Sequence, residues 1–154
     1  MTSILDIFDK LSATLEKLSA LAQKKIDVVR RDDLTALNDI MKQEQAYALS
    51  IRGIEQKLTG LLKQFGLQSV KLNDLPKHFP AEHQVRASKT VDELRTQYKV
   101  YSSVSQVARN TLEINLHEIE KILAAAGADN VAGPGYAVSP DVEPPAQMKT
   151  DIRV

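Results

Sequence analysis

The stretch from Leu34 to Phe65, LTALNDIMKQEQAYALSIRGIEQKLTGLLKQF, carries a repeat that few folds can accept. Apolar residues fall at steps of three and four: Leu34, Leu37, Met41, then Ala48, Ile51, then Leu58, Leu62, Phe65. A flanking row of Ile40, Tyr47, Ile54 and Leu61 recurs every seven residues and widens the stripe to about three-sevenths of a helix surface. No proline interrupts it. A seven-residue repeat drifts on a straight helix of 3.6 residues per turn, so the seam holds register only in a left-handed supercoil with partner helices. This spacing predicts a bundle or coiled-coil helix roughly 50 Å long at ~1.5 Å per residue. Two seam positions break the pattern, Glu44 and Glu55. They either fix register and orientation at a cost in stability or meet a partner that carries Arg or Lys.

The chain has 154 residues and 43% hydrophobic content, enough for one domain with its own core. Twenty basic and twenty acidic residues cancel, which argues against nucleic acid as a partner, since that would need a basic face. Aromatic content of 5% without tryptophan points away from a β-sandwich and from aromatic ligand pockets. The absence of cysteine removes disulfide scaffolds and Cys-ligated zinc, and is compatible with a reducing compartment. The opening residues MTSILDIFDK lack a basic segment and a long apolar run, so neither a cleaved signal peptide nor membrane insertion is expected.

Taken in order, Ser3 or Thr2 is a candidate cap for a first helix with Asp6 in its first turn, where a carboxylate suits the positive helix end. Leu5, Phe8, Leu11, Leu15, Leu18 and Ala22 give that helix its stripe, continued through Ile26 or Val28 and Val29. Lys24, Lys25, Arg30 and Arg31 cluster near its negative end, and Asp32 or Asp33 is placed to cap the next helix. The join is short, which makes the first two helices antiparallel neighbours. Gly53 and Gly60 either weaken the second helix by about 1 kcal/mol each or admit another backbone, and Gly66 stops it. Residues 67–81, with Asn73, Asp74, Pro76 and Pro80, form a connection with one short helical turn, tacked down by Leu72, Leu75 and Phe79.

A third long helix has two apolar rows. One runs Val91, Leu94, Tyr98, Tyr101, Ser105, Ala108, Leu112, Leu116, Ile119, Leu123; the other runs Val100, Val104, Val107, Thr111, Ile114, roughly 120° away. Such a helix is either buried between two neighbours or keeps one face for something else. After Ala126 glycine and proline crowd the chain, and acids (Asp129, Asp141, Glu143, Asp151) outnumber bases (Lys149, Arg153). The expected fold is therefore all-α: a long antiparallel hairpin plus a third long helix, in a three-helix bundle or coiled coil. Helices over about 3–30, 33–65 and 82–126 form one body, residues 1–126, followed by a disordered Gly/Pro-rich tail, 127–154.

Chemistry-bearing patterns are weak. His78, Glu82 and His83 lie close in sequence, as do His117, Glu118 and Glu120, but two histidines ligating zinc from one helix need a spacing of about four residues. His78 and His83 are five apart across Pro80, and His117 has no second histidine one turn away. No nucleophile elbow, Walker A or dinucleotide-binding glycine pattern occurs. No metal, no cofactor and no catalytic residue is expected: the sequence describes a binding protein, not an enzyme.

Over nearly its whole length the chain resembles the FlgN family of flagellar type III export chaperones. The N-terminal helix ends in LAQKKIDVVRRDD, and the next carries Asp33, Leu34, Leu37, Glu44, Gln45, Ile54, Glu55 and Lys57, similar to the family pattern, with lysine where arginine is usual. Asn110 with Leu112 and Leu116 resembles the start of the family's C-terminal amphipathic segment. Gly135 and Tyr136, then Asp151 and Ile152, are similar to its tail tyrosine motif and isoleucine ending, although Tyr136 here stands between Gly-Pro-Gly and Ala-Val.

The resemblance implies a cytoplasmic chaperone, a monomer or weak dimer. It would bind the helical termini of hook-associated (hook-filament junction) proteins, prevent premature assembly, and deliver them to the type III export gate and its apparatus. Leu112, Leu116, Ile119 and Leu123 would form the client-binding row and Tyr136 the gate contact. The competing expectation is a structural or adaptor coiled coil that dimerises through the Leu34–Phe65 seam without a secreted client. Another alternative is a chaperone or scaffold of a different secretion apparatus.

Overall fold

The computed structural model describes residues 1–127. Three long helices, α1 (Thr2–Arg30), α2 (Leu34–Gln64) and α3 (Ala81–Ala125), are joined by a tight turn and by a connection that holds a short 3-10 helix, Leu75–His78. Lys25 of α1 pairs with Glu44 of α2, so those two run antiparallel. Arg86 bonds Asp6 and Asp9 at the start of α1, and Asn115 donates to Asp32 at its end, so α3 runs parallel to α1.

The centre of the molecule is α1, not the heptad helix. Eleven residues of α1 are buried, against two of α2 and five of α3. Helix α1 packs on both others, whereas no Cα of α2 comes within 8 Å of one of α3. The reason is visible in the residues. Helix α1 carries adjacent apolar pairs, Ile4 and Leu5, Ile7 and Phe8, Leu21 and Ala22, and so has a stripe wide enough for two neighbours. The seam of α2 serves one neighbour. Ile40 and Ile51 are buried, but Leu34 and Met41 at its turn end stay exposed.

Two local expectations change. Met1 stands at the N-cap of α1 without a side-chain cap, so Thr2 and Ser3 are inside the helix. Asp6 then falls after the first turn, and its carboxylate accepts from Arg86 across the helix interface at 3.2 Å. At the next join, Asp32 takes a left-handed conformation (φ 54°) that reverses the chain, and the Asp33 carboxylate accepts from the Ala36 amide at 3.0 Å. Gly66 ends α2 at φ 69°, a conformation that suits a residue without Cβ. A Cβ added at Gly53 or Gly60 would meet nothing within 4 Å, so neither glycine admits another backbone.

The main core lies at the α1 N-terminal end, where Ile4, Leu5 and Phe8 meet Ala87, Val91 and Leu94 of α3 and Ile51 of α2. Leu67, Leu75 and Phe79 of the connection are buried in the same cluster, with Leu72 packed at its margin. Toward the turn the packing thins to Ala22 and Ile26 against Ala108 and Val104. The expected tail, apart from Gly127, lies outside the described residues, and so does Tyr136.

Candidate protein-binding surface

Along α3 the residues turned to the other elements repeat every seven. Ala87, Leu94 and Ala108 are buried, and Tyr101 and Asn115 half-buried, with Thr90, Val91 and Val104 filling between. This seam draws on both apolar rows of the sequence, because a supercoiled helix tracks its partner across a straight-helix row. The second row forms an edge: Val100 and Val107 are exposed while Val104 is half-buried.

Asn115, whose amide donates to Asp32 of the α1–α2 turn at 3.3 Å, marks the last level at which α3 has a neighbour among the described residues. Helix α3 runs on for ten residues, to Ala125, an overhang of about 15 Å. A helix leaving its bundle would ordinarily turn polar all round. This one does not: Leu116 is 58% exposed, Ile119 43%, Ile122 67% and Leu123 53%. Ile122 is seven residues beyond Asn115, so the packing seam continues past the point where the other described residues supply anything to pack against.

Of the residues expected to bind a client, Leu116, Ile119 and Leu123 lie together on the overhang, and Leu112 is half-buried at its root. All four share one side of α3. Ile122 belongs with them and was missed from the straight-helix rows; extending the repeat 94, 101, 108, 115 by one step finds it. Glu44 has its own-chain partner in Lys25, both largely buried, so this seam charge is satisfied inside the hairpin. Glu55 has no ion-pair partner among the described residues.

Among the described residues the titratable groups do not converge on one point. His83 lies 3.4 Å from Glu82, and His117 3.9 Å from Glu120, each pair on one exposed stretch of α3. Among the described residues no three His, Asp or Glu side chains converge on a point that could hold a metal ion. The Asp74 carboxyl is held below the ordinary carboxylate range by a 2.6 Å hydrogen bond from Lys77 and by that ammonium's charge. It lies on the connection, remote in sequence from the overhang.

The geometry thus offers an amphipathic helix end, presented in the open and rooted in a bundle. The FlgN protein family matches residues 1–136, all three helices included. The chain belongs to the FlgN family. FlgN proteins are flagellar export chaperones and not enzymes. No curated protein and no solved structure matches this FlgN chain. Among its described residues no helix is long and apolar enough to cross a membrane.

Proposed function

We propose that this FlgN protein is a cytoplasmic chaperone that holds the terminal helices of hook-associated proteins on the overhang of α3, prevents their premature assembly, and delivers them to the flagellar type III export gate. The observation that carries the reading is the seam of α3 continuing beyond Asn115 with Leu116, Ile119, Ile122 and Leu123 uncovered. A client whose own terminal helix bears an apolar stripe self-associates when that stripe is open, and an amphipathic helix laid against it covers both. Delivery requires release, so the capture has to be reversible: a micromolar complex corresponds to a net of about −8 kcal/mol, to which burial of this half-exposed stripe and of the client's own stripe contributes.

In this reading residues 1–126 form the client-binding body and residues 127–154 a tail that carries Tyr136 to the export gate. The test mixes the purified chain with the C-terminal helical region of a hook-associated protein, read by calorimetry and light scattering together. A one-to-one complex near micromolar is expected, and Leu116→Ala with Ile119→Ala should abolish it while helicity stays. Tyr136→Ala should leave client binding alone and weaken capture by the gate's cytoplasmic domain; unchanged capture would remove the gate contact from the reading. Absence of heat with a stable self-dimer would favour the structural coiled coil.

A further inference from the structure

The overhang has an electrostatic frame as well as an apolar stripe. At about 100° per residue, Ile122, Ile119, Leu112, Leu123 and Leu116 span a stripe roughly 120° wide, with Ile122 at one edge and Leu116 at the other. Glu118 lies about 40° outside the Ile122 edge. Glu120 and Glu113 lie about 40° and about 60° outside the Leu116 edge. All three carboxylates are exposed. Of the bases nearby, Arg109 lies about 20° outside the Leu116 edge but one turn before Glu113, at the root of the overhang beside the buried Ala108. Arg30 and Arg31 stand at the α1–α2 turn next to the Asp32 that Asn115 contacts, and Lys121 is about 100° round from Ile122.

The helix end adds to the same sign. Helix α1 closes with Arg30 in its last turn and α2 with Lys63, each placed to offset the negative end of the helix dipole. Helix α3 has no base in its last turn. A chain of zero net charge thus presents, at one helix end, an apolar stripe with acids on both borders and an uncompensated dipole.

We infer that the overhang selects an amphipathic helix whose apolar stripe is bordered on both sides by Lys or Arg. This rests on the client-binding reading and narrows the client by its chemistry. The logic is that of charges flanking a coiled-coil seam, which set partner choice and encounter rate through complementary potentials. The other occupants fit worse. A second copy of α3 would bring Glu118 and Glu120 against like charges, and the segment 128–154, with four acids and two bases, carries the wrong sign for the frame.

The full-length chain is titrated with two synthetic helical peptides of one length and one identical apolar stripe, one bordered by lysine and the other by glutamate. The lysine-bordered peptide should bind at least about tenfold tighter in about 0.1 M salt, the preference shrinking toward about 1 M as the screening length falls from about 10 Å to about 3 Å. Glu118→Lys with Glu120→Lys should invert the preference, with helicity and thermal unfolding unchanged because both side chains are exposed. Equal binding of the two peptides would overturn the selection while leaving the overhang as the client site. Binding of neither peptide, together with no binding of a hook-associated helical region, would overturn both. A self-dimer that Ile119→Asp dissociates and that neither peptide displaces would assign the stripe to a second copy and overturn the inference.

Discussion

The two ends of α3 carry the same kind of apolar repeat and have opposite fates. From Ala87 to Leu94 the repeat is buried against α1 and the connection; from Leu116 to Leu123 the same spacing lies in the open. Nothing in the residue types separates them. What differs is the neighbour: α1 and the folded connection reach the first end, and the α1–α2 turn stops short of the second. Periodicity therefore identifies a face and its width but not whether the chain itself supplies the partner. A face left over after the internal partners are used is a statement about another molecule.

The contrast has a large energetic signature. Leu94→Ala, at 7% exposure in the main core, should lower stability by about 2–4 kcal/mol, seen as a clear drop in the thermal midpoint. Leu116→Ala on the overhang should change stability by less than about 0.5 kcal/mol. Comparable losses at both positions would mean that the two ends are packed alike, and the comparison would fail.

A middle-sized effect sharpens the same comparison within the hairpin. Glu44→Ala leaves Lys25 without its partner in a largely buried place and should cost about 1–3 kcal/mol by denaturant unfolding. Lys25→Met combined with Glu44→Leu should recover most of that loss, since an apolar pair satisfies the same seam. Smaller and of opposite sign, Gly53→Ala and Gly60→Ala should each stabilise by up to about 1 kcal/mol, because both are exposed mid-helix positions with open space around the added methyl. Destabilisation there would reveal a close approach that α2 does not show.

The smallest expected change is at Asp74. Its folded-state carboxyl titrates below the ordinary range because Lys77 donates to it, so the pair's contribution is present above the ordinary carboxylate pKa and fades as pH falls through the lowered value. Lys77→Met should move the Asp74 titration, followed by carboxyl NMR, up toward the ordinary range, with Lys71 and His78 still drawing it down. The pair lies at the surface, where an ion pair contributes little, so the thermal midpoint should stay put.

How far the residues alone revealed this molecule follows from the same physics. Three long helices and the buried anchors Leu75 and Phe79 were legible, because each rests on local periodicity and turn chemistry. Which helix lies at the centre is harder to read from the residues. Regular heptads in α2 advertise supercoiling, whereas centrality depends on stripe width, and the doubled apolar positions of α1 carried that signal. Ile122 was passed over because a straight-helix projection drifts by about 20° per seven residues from the supercoiled seam. The partner of Glu44 was beyond reach of the sequence, since it depends on the register between α1 and α2. Tyr136 stays a reading from resemblance, outside the described residues.

The missing lateral support beyond Asn115 also sets a local folding equilibrium. Among the described residues the last ten of α3 are held only by their own backbone hydrogen bonds, with the nucleation cost of the helix already met by its bundled part. Without side-chain packing this segment should fray from Ala125 inward, and its amide protons are expected to exchange with solvent faster than those of Leu94 or Ala108. Any occupant of the stripe must supply the free energy of completing those turns. Occupancy therefore has a signature apart from affinity: slowed amide exchange confined to the last three turns of α3, with the rest of the molecule unchanged.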